Sequence, residues 1–168
     1  MARFSRLRGL SLIELLVAIA ILATLYGAVV VAIGSASGPR VLEREGRRFA
    51  ALVATACERA QISGRDYGVH VSRAGYAFST ALADGWRLET TGDLRPRELA
   101  KGLALELARE GTRAELLDEM PDAPQAACFA SGELTPFVAT VTAGELPPFE
   151  IDAALDGTIE TRAREPDE

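Results

Sequence analysis

Three patterns of apolar and polar residues succeed one another along this chain. The first is a run without charge, the nineteen residues from Leu15 to Ile33. Counted from Leu10 the segment has 24 residues, about 36 Å of helix at 1.5 Å per residue, enough to cross a hydrocarbon core of roughly 30 Å. Ser35 to Pro39, small and containing glycine and proline, then predicts a point where a helix bends or locally melts. The second pattern follows it. Leu42, Phe49, Leu52, Val53, Ala56 and Ala60 recur at spacings of three, four and seven, with Arg44, Arg47, Arg48 and Arg59 mostly off that stripe. This predicts an amphipathic helix laying one face on a sheet, stopped by Gly64 after Ser63.

In the third pattern the period falls to two. Tyr67, Val69 and Val71 alternate with Gly68, His70 and Ser72, and Arg73-Ala74-Gly75 turns the chain into Tyr76 and Phe78 at the same spacing, which reads as a hairpin continued by Trp86 and Leu88. On this alternation His70 faces solvent, while Tyr76, Phe78 and Trp86 belong to the core. Leu103, Leu105 and Leu107 fit a strand, and Leu99, Leu103 and Leu107 fit a helix equally, with Gly102 favouring the strand. Glu110 to Gln125, with Gly111, Pro121 and Pro124 among many charges, reads as a long loop. Short strands are predicted at Ala127 to Ala130, Thr135 to Val141 and Phe149 to Ala153. Asp156-Gly157 then turns into a last strand, Thr158 to Thr161, before a charged, frayed tail. The order of elements makes this an α+β chain, a long N-terminal helix packed on an antiparallel β-rich domain.

Charge orients the chain. Arg3, Arg6 and Arg8 precede the apolar run and no acidic residue occurs among the first thirteen, so the N-terminus stays in the cytoplasm and the rest lies outside it. A secretory signal peptide places its cleavage site after the apolar stretch, whereas here the glycine-marked junction at Gly9 comes before it; the helix is retained. Glu14 is the exception inside the segment. A carboxylate near the bilayer centre costs on the order of 2.5 kcal/mol or more, less at this shallow depth, so Glu14 needs a partner. The formal net charge is −6 for the whole chain, −9 without the three arginines of residues 1–9, and −8 when Glu14 is also set aside. A domain so acidic is a poor general ligand for nucleic acid.

Enzymatic chemistry lacks parts. His70 is the single histidine, and no serine or cysteine sits in a nucleophile-elbow pattern, so neither a triad nor a zinc site is available. Asp118, Glu119 and Asp122 could offer oxygen ligands to a cation, but a solvated surface loop is the simpler reading; no metal or cofactor is expected. Cys57, on the helix, and Cys128, on a strand, allow one intrachain pairing. Whether their Cα atoms approach within bonding distance stays open at this point.

Gly9 followed by Leu10-Ser11-Leu12-Ile13-Glu14-Leu15-Leu16-Val17 resembles the class III signal of type IV pilins and type II secretion pseudopilins. The resemblance implies that a membrane aspartic peptidase, the prepilin peptidase, cuts on the cytoplasmic side after Gly9 and methylates the new N-terminus at Leu10. It also supplies the missing partner, since Glu14 of one subunit would neutralise the Leu10 amine of a neighbour within a filament. The family more often carries Phe at the position of Leu10. Cys128-Phe129-Ala130-Ser131-Gly132-Glu133-Leu134-Thr135-Pro136-Phe137-Val138 resembles the strand-turn-strand of the H-type minor pseudopilins, the GspH family, related to the minor type IV pilins of the FimT/FimU kind. Leu94 to Leu99 and Phe149-Glu150-Ile151-Asp152 extend the likeness over nearly the whole chain.

The resemblance implies a type IV pilin-like fold divided as follows: residues 1–9 a cleaved leader, 10–33 a transmembrane helix, 34–64 its periplasmic continuation, 65–161 the β-rich domain, 162–168 the tail. It implies a structural subunit of the periplasmic pseudopilus rather than an enzyme, anchored once in the inner membrane. Its partners would be the major pseudopilin, other minor pseudopilins and the inner-membrane secretion platform, with no nucleic acid. The runner-up is a minor type IV pilin for adhesion or DNA uptake. Arg162-Ala163-Arg164 invites that comparison, but Glu160, Glu165, Asp167 and Glu168 surround it and largely cancel its attraction for phosphate. A single-pass periplasmic binding protein, unprocessed at Gly9, is a third reading.

Overall fold

A computed structural model describes residues 12–164, excluding the side chains of residues 18, 20 and 22–37. A helix, α1 (Leu12–Ser63), is followed by β1 (Tyr67–Val71), β2 (Gly75–Leu82), β3 (Gly85–Leu88), β4 (Arg97–Glu98), β5 (Ala104–Arg109), β6 (Thr112–Arg113), β7 (Ala126–Cys128), β8 (Phe137–Thr142), β9 (Phe149–Ala153) and β10 (Ile159–Ala163). The chain forms two units, residues 1–37 and Gly38 onward. In the first, the described side chains at the start of α1 are exposed.

The second unit holds the core. One antiparallel sheet has the order β3-β2-β1-β7, with β4 also pairing with β2; the other has the order β10-β9-β8-β5-β6. The predicted stripe of α1 packs into it. Leu42, Phe49, Leu52, Val53, Ala56 and Ala60 are all buried, and burying one such large side chain is worth roughly 1.5–3 kcal/mol. Phe49 meets Tyr76 of β2 edge-on at a centroid distance of 5.0 Å and Phe137 of β8 at 6.4 Å. One residue of the helix therefore joins both sheets. Gly46 permits a close approach, because a Cβ there would lie 2.2 Å from Cδ1 of Phe149 on β9. Gly64, at φ 65°, ends the helix in the left-handed conformation.

Three expectations are corrected. The helix continues through Pro39 rather than melting between Ser35 and Pro39: a proline removes one i to i−4 bond, and the turns on either side carry the rest. Trp86 is not core. It is 37% exposed, since β3 is an edge strand whose residues are all exposed. His70 is not solvent-facing either, at 1% exposure. The outer face of β1 is covered by the segment from Leu117 to Gln125, which the alternation rule could not foresee, because alternation says only that one face of a strand differs from the other.

Candidate assembly surfaces

Glu14 sits in the first turn of α1, where Leu12, Ile13, Leu15, Leu16 and Val17 are 77, 68, 54, 57 and 53% exposed. Apolar residues at consecutive positions point to all sides of a helix, so no single sheet face can cover them. Glu14 itself is exposed among them. Gly9 and Leu10, the expected cleavage and methylation positions, lie outside the described residues. Most of the expected transmembrane segment, residues 10–33, also falls on positions whose side chains are not described; among the described residues no helix is long and apolar enough to cross a membrane.

Farther along α1 a second carboxylate, Glu45, is 6% exposed. It lies on the apolar stripe between Leu42 and Phe49, largely shielded from water. The Tyr76 hydroxyl donates to Glu45 Oε1 at 2.9 Å, and Arg48 NH1 approaches Glu45 Oε2 at 3.4 Å while its Nε–H donates to the Tyr76 oxygen at 3.3 Å. Burial, aided by the Glu45 charge, pushes the Tyr76 hydroxyl up to about 12, so it remains a donor. This cluster fixes the rotation of α1 against β2. Sequence reasoning passed over it, although an acidic residue on an apolar stripe is itself a signal that a partner exists.

A disulfide ties α1 to another strand of the same sheet. Cys57 of α1 and Cys128 of β7 are bonded, with Cα atoms 4.8 Å apart. Beyond β7 the strand-turn-strand is held by Phe129 N–H donating to the Glu133 carbonyl at 2.8 Å and Thr135 N–H to that of Ala127 at 2.8 Å. Gly132 takes φ 97° at the turn, and Ala130 N–H donates to Asp66 Oδ1 at 2.9 Å. The turn thereby rests on the start of β1 and, through buried Leu134, on the core.

The outer face of the first sheet carries a strap. His70 Nδ1–H donates to the Pro121 carbonyl at 2.9 Å, leaving Nε2 to accept from the Ser79 hydroxyl of β2 at 2.7 Å. Burial holds the imidazole below its ordinary value of 6.5, opposed by the Pro121 carbonyl and the Asp122 charge. Gln125 imitates a strand residue: its Oε1 accepts from Val71 N–H at 2.9 Å and its amide donates to the Val71 carbonyl at 2.7 Å. Pro124 covers Gly68, where a Cβ would come within 2.7 Å of the proline ring. The exposed Asp118, Glu119 and Asp122 ride on this strap. Asp118 pairs with Arg73 at 3.0 Å, and among the described residues no group of His, Cys, Asp or Glu is placed to hold a metal ion.

Arg162 and Arg164 are both engaged. Arg162 Nε lies 2.8 Å from Glu150 Oε2 and Arg164 NH1 3.2 Å from Glu150 Oε1, so one carboxylate holds the two cations that invited comparison with a phosphate-binding site.

No family model matches the chain. It is 32% identical over 152 residues to type II secretion system protein H of Aeromonas hydrophila, covering 83% of each. It is also 32% identical over 146 residues to the protein of that name from Pseudomonas aeruginosa, covering 77% of this chain and 80% of the relative. Among solved structures, the minor pseudopilin EpsH of the type II secretion system of Vibrio cholerae superposes with a TM-score of 0.65 at 25% identity, over 77% of this chain and 98% of the other. The solution structure of Escherichia coli GspH superposes with a TM-score of 0.56 at 20% identity, a likeness of fold.

Proposed function

Because the chain belongs to the family of type II secretion system protein H, the H-type minor pseudopilins, we propose that it acts as a membrane-anchored subunit of a periplasmic filament whose first helix works by packing against other subunits. The observation that carries this is the pair of environments along α1. Its later turns bury one apolar stripe on this chain's own sheets, whereas its first turns expose apolar side chains on all sides with Glu14 as their only charge. Residues 10–33 form the inner-membrane anchor, the N-terminus lies in the cytoplasm and the sheets in the periplasm. The prepilin peptidase removes residues 1–9 and methylates Leu10. The role is structural. Its partners are the major pseudopilin, the other minor pseudopilins and the secretion platform, and in the filament Glu14 neutralises the Leu10 amine of a neighbour, a charge pair that favours one axial register.

Glu14→Ala separates these steps. The variant is expected to insert and be processed as the wild type is, but to co-purify poorly with partner pseudopilins and to support less secretion. Normal co-purification and normal secretion would contradict the charge pairing.

A further inference from the structure

Charge divides the second unit unevenly. Its helical part, residues 38–64, holds five arginines and three glutamates, whereas residues 65–168 hold ten basic and twenty acidic side chains. The helix excess is concentrated on one face. Arg40, Arg44 and Arg47 follow at spacings of four and three, all exposed, and form a stripe about 10 Å long. Arg47 reaches Glu43 at 2.6 Å, but among the described residues no carboxylate pairs with Arg40 or Arg44. Exposed Ala51 and Ala54 continue the same face as far as the exposed Glu58.

The acidic counterpart lies across the first sheet. Helix α1 covers its inner face through the Phe49 to Tyr76 contact and the Cys57 to Cys128 bond. The strap covers its outer face at His70 and Gly68. Along that strap Asp118, Glu119 and Asp122 are exposed, with Asp118 paired to Arg73 at 3.0 Å, and Glu110 and Glu115 lie on the segment around β6 that leads into it. The basic stripe and the acidic side chains of the strap therefore lie on opposite sides of the helix–sheet pair. Complementary patches on opposite faces cannot satisfy each other within one chain, and they fit a contact between unlike faces of successive subunits, which extends rather than closes.

We propose that Arg40, Arg44 and Arg47 dock an acidic face of the adjacent pseudopilin subunit, a face of the kind this chain itself carries on its strap at Asp118, Glu119 and Asp122. This rests on the filament reading above. The surface supplies orientation and salt-sensitive attraction, while the exposed alanines let the neighbour's backbone come close.

The test places a photo-crosslinking amino acid at Ala51 of the full chain, in cells that also make the major and the other minor pseudopilins. The expected result is a covalent product with a pseudopilin subunit, this chain included. It should fall by about tenfold or more in an Arg40→Glu, Arg44→Glu double variant, and return when acidic residues at the captured site of the partner are changed to arginine. Intact mass and the oxidised state of Cys57 and Cys128 verify that the double variant is folded. A pseudopilin product indifferent to the charge reversal would overturn the proposal. So would adducts to lipid alone in cells where the wild-type chain still co-purifies with its partners, and that co-purification would leave the filament reading standing. Loss of co-purification for the wild type would sink both.

Discussion

Leu12, Ile13, Leu15, Leu16 and Val17 are each more than half exposed at the start of α1, whereas Leu42, Phe49, Val53, Ala56 and Ala60, farther along the same helix, are buried. Both stretches are rich in apolar side chain, so hydrophobicity as such does not separate them; the angular arrangement does. A stripe of period 3.6 can be matched by one sheet face. A helix that is apolar all round needs apolar surroundings on all sides, which lipid or a bundle of like helices provides and two sheets do not. The two charges set among these residues differ in the same way. Glu45 finds Tyr76 and Arg48 within its own chain, whereas Glu14 is exposed and, on the filament reading, finds its partner on another subunit.

If the later turns of α1 hold the fold and the first turns serve assembly, substitutions should separate cleanly. The largest effect belongs to Phe49→Ala, which empties the position touching both sheets and should lower the unfolding free energy of the sheet-bearing unit by about 4 kcal/mol. Denaturant unfolding of the detergent-solubilised chain measures this. A loss below about 1 kcal/mol would mean that the helix is held elsewhere.

Opening the disulfide comes next. Cys57 and Cys128 are 71 residues apart, and losing a disulfide typically costs on the order of 3 kcal/mol. Reductant, or a Cys57→Ser, Cys128→Ser variant, should shift the unfolding midpoint accordingly and leave processing at Gly9 untouched. An unchanged midpoint would show that α1 and β7 need no covalent link.

His70 gives the smallest effect and concerns the far side of the first sheet. Its folded-state value lies below 6.5 because burial disfavours the cation, so below pH 6.5 the unfolded chain binds the extra proton. Stability is thus fully present above that pH and declines as pH falls toward the folded-state value. In titrations of unfolding free energy, His70→Gln should flatten that part of the profile while leaving α1 packed. A profile indistinguishable from the wild type would remove His70 from the account.

Periodicity made the helix stripe and the strands legible, down to Phe149–Ala153, whose bounds coincide with β9. What it missed was long-range. His70 could not be read as buried, because its cover comes from Pro121, far along the chain and inside a segment that has only loop character locally. Trp86 looked like core because an edge strand has the same alternation as a central one. The two-residue β4 pairs with β2 where Gly75 lets the Arg97 carbonyl approach, a Cβ there coming within 2.0 Å of it; nothing in Arg97-Glu98 itself announces a strand. The motif around Glu14, to which the filament reading assigns assembly, is different, being a contiguous string of residues read by position alone. For the cysteines, sequence could give only the number of pairings, since their distance is a property of the fold.

The most direct test is the intact mass of the chain recovered from membranes of a host that carries the prepilin peptidase, beside a Gly9→Val variant. The account predicts that the wild-type chain begins at N-methylated Leu10 and that Gly9→Val stays at full length. A wild-type chain still beginning at Met1 would contradict it.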